Sequence, residues 1–294
     1  MMEMQASKIM ISNKKINLNI KEKVSYFAIY LAAILTLVAL ISIIGYVLMN
    51  GVKHIDFNFF IQEPSSMGRK GGIFSIIVGT IYLTLVSIAI ATPIGVAAAI
   101  YLTEYAKETK LVKIIRFGTE TLAGIPSIIF GLFGFVFFVI LLGFRWSILS
   151  GGLTLAIMIL PTLIRTTEES LKTVPQSFRE GSLALGATKW QTIIKVVLPS
   201  SISGILTGLI LGIGRAVGET AAVMLTAGSS LGLPMSIMDP TRTMSVHLYI
   251  LASEGLSKEK TFATATVLII FVVLINFSAN ILANKYMKRT KIEA

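Results

Sequence analysis

Arg215 and Glu219 are the only ionisable residues in positions 196–238, the run VVLPSSISGILTGLILGIGRAVGETAAVMLTAGSSLGLPMSIM. On a continuous helix a spacing of four puts them on one face, within pairing reach. A charge held in the middle of a bilayer is expensive, and it is tied to function, to a partner or to a water-filled cavity. A guanidinium is permanently charged and can hold two oxygens of an oxyanion at once. Glu219 has two readings: it neutralises Arg215 so that the helix inserts, or its carboxylate accepts a hydrogen bond from a protonated ligand. The adjacent Thr220 hydroxyl can touch a ligand or bond to a neighbouring helix. Gly204, Gly208 and Gly212 recur every four residues on the same stretch, as a packing face or as a groove beside Arg215. Arg165, in LPTLIRTTEES, either lines the inner mouth of a pathway or anchors a helix end at the membrane surface.

The elements that position these residues must be membrane helices. The 294-residue chain is 54% hydrophobic and only 14% charged, whereas charged residues make up about 25% of a typical globular protein. Uncharged runs of membrane-spanning length recur along it. They predict an all-α integral membrane protein with six transmembrane helices, near 26–49, 73–102, 122–142, 148–164, 200–228 and 262–283. The last of two adjoining uncharged runs contributes SSLGLPMSIMDP, which carries Gly and Pro turn signals and reads as loop. Pro93 and the Gly124-Ile125-Pro126-Ser127 stretch are expected kinks, structural or facing a cavity. The first apolar run is far longer than a signal-peptide core, so a retained anchor is expected.

Charge bias orients the chain. With both termini inside, the cytoplasmic segments 1–23, 103–120, 165–199 and 284–294 hold 18 of the 26 Lys and Arg. The external segments hold 7, and Arg215 is the remaining one. This is the positive-inside pattern, and it explains the net charge of +11 without a nucleic-acid partner.

The longest cytoplasmic loop reads TTEESLKTVPQSFREGSLALGATKWQTIIKVVLP. Apolar residues from Arg179 to Val197 fall at helical spacings, interrupted at Gly186, and Pro199 is expected to start the next element. Two short amphipathic helices around a glycine turn fit this pattern, and a folded knob of that kind is expected to dock onto something.

Glu180-Gly181-Ser182, then Gly186, then Val196-x-Leu198-Pro199 resembles the EAA loop of bacterial ABC-importer permeases, with every spacing kept and the departures conservative. The stretches GGIFSIIVGTIYLTLVSIAIATPIGVAAAIYLTEYA, LAGIPSIIFGLFG and GRAVGETAAVMLTAG are similar to permease subunits of phosphate-specific importers. The ending TRTMSVHLYILASEGLSKEKTFATATVLI resembles the A type of the two permeases in such systems. The resemblance implies a type I ABC-importer permease architecture. It implies a tail at 1–23, a first span at 24–52, a permease domain at 71–284 that includes a coupling loop at 165–199, and a tail at 285–294. It implies docking of a cytoplasmic ATPase on Glu180 and Gly186, with Leu185, Ala187 and Trp190 as neighbours. A related C-type permease, ATP-binding subunits, an extracytoplasmic phosphate-binding protein and membrane lipid are the implied partners, in the inner membrane. Arg215, Glu219, Arg165 and Thr220 are the implied substrate pathway.

No catalytic group and no cofactor are expected on this chain. It lacks GxxxxGK[ST], so ATP is used by the partner ATPase. Gly212-Ile-Gly214-Arg-Ala-Val-Gly218 approaches a dinucleotide fingerprint but has the wrong last spacing and sits in a membrane helix. The chain has no Cys and two His, which leaves no thiolate chemistry and little basis for a metal site. A secondary transporter or anion channel accounts for the spans and Arg215 but has no use for the loop. An ABC permease for another oxyanion stays open at this level.

Overall fold

A computed structural model describes residues 20–107 and 109–292, with side chains described from 22 to 281. Most of the tail expected at 1–23, and the side chains of the tail at 285–294, lie outside these residues. Two compact units are present, residues 1–49 and 50–294. The first contains helix α1 (Ile20–Gly51), which is long and apolar enough to cross a membrane.

The second unit opens with a short turn of helix, α2 (Phe57–Ile61), N-capped by the Asp56 carboxylate accepting from the Phe59 N–H at 2.9 Å. A two-residue hairpin follows, β1 (Pro64–Ser65) against β2 (Lys70–Gly71). The long helix α3 (Phe74–Ile100) contains Pro93 within its length and ends in a wider π turn, Tyr101–Tyr105. Next come α4 (Lys110–Ala123) and α5 (Ser127–Gly134), the latter extended by a π segment, Phe135–Leu141. Helix α6 spans Ile148–Thr173. The loop knob holds α7 (Gln176–Ala184) and α8 (Lys189–Thr192), and α8 passes through a π turn, Ile193–Val197, into α9 (Leu198–Gly218). The chain closes with α10 (Ala221–Thr226), α11 (Met244–Ser253) and α12 (Lys258–Ile292).

Among the described residues, five helices are long and apolar enough to span a membrane, or six when α4 and α5 with its π segment count as one bent span. The fold is thus an all-α, multi-spanning architecture. The expected third span, 122–142, is shorter at its start than anticipated. The chain bends by 103° between α4 and α5, at the Gly-Ile-Pro stretch. Pro126 has no N–H to give a continuing helix, and the residue before it is pushed away from helical geometry.

Helices α3 and α6 make the most extensive packing in the molecule, and α9 lies along α6. Small residues make this approach possible. A Cβ at Gly212 would sit 2.8 Å from Ile159 Cγ2, and Cβ atoms at Gly208 and Gly204 would run into Thr166 and Ser170. The glycine stripe of α9 is therefore its contact face with α6. The core beneath it includes Leu83, Ala91, Leu155, Met158, Ile159, Leu163 and Ala216, all essentially inaccessible.

Candidate functional site

The expected helix at 200–228 is not continuous. Helix α9 stops at Gly218, Glu219 is extended at φ −72° and ψ 132°, and α10 starts at Ala221. Gly214 and Gly218 weaken the last turn of α9. The break is then stabilised by capping from both sides. The Ser245 hydroxyl donates to the Glu219 carbonyl at 2.6 Å, and the Glu219 carboxylate accepts from the Ala222 N–H at 3.3 Å. One backbone group that the missing helical turn would have satisfied is thereby paired. The pairing of Arg215 with Glu219 anticipated from their spacing is absent, because the two no longer share a helical face.

Arg215 is left in the last turn of α9, where the free carbonyls of the helix end favour a cation. It is half-buried, and its guanidinium makes no ion pair or hydrogen bond with any described residue. Gly218 beside it faces open space. Thr220 is half-buried, and its carbonyl accepts from the Met224 N–H at 2.9 Å. Arg215, Glu219 and Thr220 are thus gathered at one helix break. Arg165 is not among them. Helix α6 continues past it to Thr173, so the span expected to end at 164 is nine residues longer, and Arg165 Nε donates to Glu169 at 3.0 Å on its exposed face. It lies level with Gly208, about 10 Å along α9 from Arg215 at the helical rise.

The loop knob has the two short helices and glycine turn expected of it. Gly186 adopts φ +86°, a left-handed conformation that a side chain resists, and the chain reverses there. Thr188 and Gln191 then form a capping box that starts α8. Pro199 sits in the first turn of α9, the element it is expected to start, and the π turn Ile193–Val197 joins α8 to α9 in one helical run. Glu180 and Gly186 are exposed and Ala187 is half-buried. Leu185 is 91% exposed and Trp190 58% exposed, an apolar surface that no described residue covers.

Several charged residues of this region went unrecognised in the sequence. Arg179 forms a fork with Glu104 at 2.7 Å, and Glu168 accepts from Arg116 and Lys172 at 2.8 and 2.7 Å. Glu104 and Glu168 stand on flanks rich in Lys and Arg that also carry Glu108, Glu120, Glu169 and Glu180, so no local signal separates them. A cleft of about 650 Å³ opens beside the fork, with Lys172, Gln176 and Lys189 in its wall. At the far end of α6, segment 241–247 is buried together with Arg242 and His247, which the sequence reading passed over as an external loop. Arg242 Nε donates to the Ser229 carbonyl at 2.9 Å, while its Nη1 and His247 Nδ1 find no hydrogen-bond partner among the described residues. No group of three His, Cys, Asp or Glu is placed to hold a metal among the described residues.

Residues 91–292 match the family model described as binding-protein-dependent transport system inner membrane component. The chain is 32% identical over 289 residues to the probable ABC transporter permease protein YqgI of Bacillus subtilis, covering 93% of this chain and 98% of that protein. It is 33% identical over 264 residues to the phosphate transport system permease protein PstA of Pasteurella multocida, covering 89% of this chain and 94% of that one. Among solved structures, a chain of a bacterial alginate ABC transporter superposes with a TM-score of 0.66 at 15% identity, covering 90% of this chain and 95% of the other, a likeness of fold.

Proposed function

Because the chain belongs to the binding-protein-dependent transport system inner membrane component family, it is a permease component of an ABC-type importer, and we propose that its cargo is inorganic phosphate. In this reading it is the A-type subunit, and a related C-type permease completes the pathway. Two ATP-binding subunits dock on the loop end, and an external binding protein delivers the anion to the 229–258 segment. Both termini lie in the cytoplasm, in keeping with the distribution of Lys and Arg. Residues 71–284 form the permease domain, preceded by the extra span at 24–52. Hydrolysis of ATP belongs to the docked subunits.

The observation that carries the site is the Arg215 guanidinium, set in a span at a helix break with no protein counterion among the described residues. Its charge is available to a passing anion, and the low-dielectric surroundings strengthen the contact. Relatives named as phosphate permeases support the choice of cargo. Glu219 supplies discrimination. One carboxylate oxygen is engaged by the Ala222 N–H, and the other is left to accept an O–H. Phosphate at neutral pH still carries such a donor; sulfate carries none and meets only repulsion. Thr220 and Arg165 are secondary stations, the latter at the inner mouth. On the loop knob, Glu180, Gly186, Leu185, Ala187 and Trp190 form the EAA-type surface that the ATPase covers.

Proteoliposomes holding this chain, its partner permease and the ATPase, supplied with binding protein, test the cargo. ATP-driven uptake of labelled phosphate that sulfate and molybdate do not compete is the expected result. ATPase docking without phosphate uptake would discard the cargo and keep the importer. Selectivity of the permease itself is read without the binding protein, by equilibrium binding of labelled phosphate to the purified complex. Loss of one charge-assisted hydrogen bond corresponds to about tenfold or more in affinity ratio. Glu219→Gln is therefore predicted to let sulfate compete about tenfold better; an unchanged phosphate-to-sulfate ratio would remove Glu219 from selectivity.

A further inference from the structure

Helix α7 has no buried residue, so packing alone holds the knob loosely to the helices above it. One side chain holds it firmly. Arg179 Nη2 donates to Glu104 Oε1 at 2.7 Å, and Nε reaches both carboxylate oxygens at 3.2 and 3.4 Å. Its remaining donors go to the α6 terminus, with Nη1 to the Val174 carbonyl at 2.6 Å and Nη2 to the Leu171 carbonyl at 2.9 Å. All three guanidinium nitrogens are engaged, and the pair is largely dry, with side-chain exposures of 14% and 8%. This is α7's one ion pair among the described residues. Glu104 belongs to the π turn that ends α3, so a single fork joins the knob, α3 and α6.

We propose that the Glu104–Arg179 pair is the tie that transmits displacement of the knob to the membrane helices, with Arg179 and Glu104 as positioning residues. The proposal rests on the reading that an ATPase docks on the knob, and it adds where that motion enters the bundle. An apolar contact is non-directional and lets surfaces slide; a bidentate guanidinium–carboxylate fork fixes register and angle. The route onward is continuous. Helix α3 lies along α6, and Ile88 of α3 and Ile159 of α6 both meet α9 at Gly212, one turn from Arg215. A second pair of contacts stiffens the same end: Glu168 holds Arg116 and Lys172, and Arg116 Nη2 reaches the Leu102 carbonyl at 3.4 Å. Movement of the knob therefore shifts a braced body and not a single helix.

The chain contains no Cys, so a Gly218→Cys substitution gives one thiol on this subunit at the open side of the helix break. In the complex with partner permease and ATPase, its maleimide labelling rate is measured with and without ATP. Cargo plays no part in this readout. In the parent the two rates should differ by about fivefold or more, the lower range for coupled sites. Adding Glu104→Gln, or separately Arg179→Lys, should bring the ratio to one while the ATPase still co-purifies and still hydrolyses ATP. A Glu104→Cys/Arg179→Cys pair, bridged by a short reducible dithiol-reactive linker and carrying Gly218→Ser in place of the reporter thiol, should restore binding-protein stimulation of ATP hydrolysis, and reduction should abolish it. An unchanged labelling ratio in both single variants overturns the tie. Loss of the ATPase from both would also overturn it, by making the pair part of the docking surface. A parent complex that binds no ATPase would instead overturn the docking reading on which the tie rests.

Discussion

Arg215 and Arg242 hold guanidinium groups in apolar surroundings by different means. Arg215 relies on the carbonyl end of α9 and stays half open. Arg242 is 7% exposed, bonds to the Ser229 carbonyl and leaves Nη1 unpartnered. An uncompensated buried donor is costly to the folded state. His247, on the short helix α11 outside the spans, shares this surrounding. Burial first, and the positive charge of Arg242 in the same sense, together lower its pKa to about 4. A group whose folded pKa lies below its unfolded value of 6.5 binds its proton first in the unfolded chain. Stability contributed by neutral His247 is therefore complete above pH 6.5, declines as pH falls toward 4, and is lost below that. The loss amounts to about 3 kcal/mol at most, at 1.36 kcal/mol per pKa unit. Thermal unfolding of the purified protein between pH 7 and 4 should show this decline, and His247→Gln should flatten it. A pH dependence identical in the variant would place the titrating group elsewhere.

Helix α9 shows how packing decides at the scale of an element. Its glycines at 204, 208 and 212 bring it onto Ser170, Thr166 and Ile159 of α6, so added volume there must separate the two helices. Gly208→Val should destabilise the protein by about 1–3 kcal/mol, the usual cost of overpacking. Gly118→Ala on α4, where nothing lies within 4 Å of the added methyl, should leave stability equal or raised by about 0.5–1 kcal/mol. Unfolding temperatures of the two variants check the pair; equal effects would deny the close approach. The same element marks the limit of reading from sequence. Uncharged runs located the spans, because length and apolarity are local properties. The stop at Gly218 depends on Ser245 donating to the carbonyl of Glu219, 26 residues before it, which the helix has released. Nothing within 200–228 announces that bond. Helix α6 was cut short at Arg165 for a related reason. Hydropathy ends at the first charge, whereas the i,i+4 pairs Arg165–Glu169 and Glu168–Lys172 carry the helix on into the aqueous loop. The knob's two helices and its turn at Gly186 were legible because helical spacing and a glycine are local signals; the Thr188–Gln191 box is equally local but went unrecognised in the sequence.

At the scale of the molecule, most charge is kept to the ends of the helices and little to their middles. Of 26 Lys and Arg, 18 fall in the four segments assigned to one membrane face. The fork at Glu104–Arg179 and the cluster at Glu168 show that some of these charges brace the bundle as well as orient it. The apolar surface at Leu185 and Trp190 lies at that braced end, where an ATPase would press. The break at Glu219 ends the apolar helical run Lys189–Gly218, and in the proposed function a passing anion finds its foothold there. Family and fold describe a permease component of an ABC-type importer; in the proposed function it receives motion at the loop end and offers the Arg215 cation, unpaired among the described residues, further in. The central claim is that Arg215 is that foothold.

The most direct test is ATP-driven phosphate uptake in proteoliposomes containing the complete complex, compared between wild type and Arg215→Gln, with ATPase co-purification followed in parallel. Removing a charge-assisted contact worth about 1.5–3 kcal/mol should cut uptake by about 10- to 100-fold while the ATPase stays bound. Uptake at the wild-type rate would contradict the account and return Arg215 to a structural role.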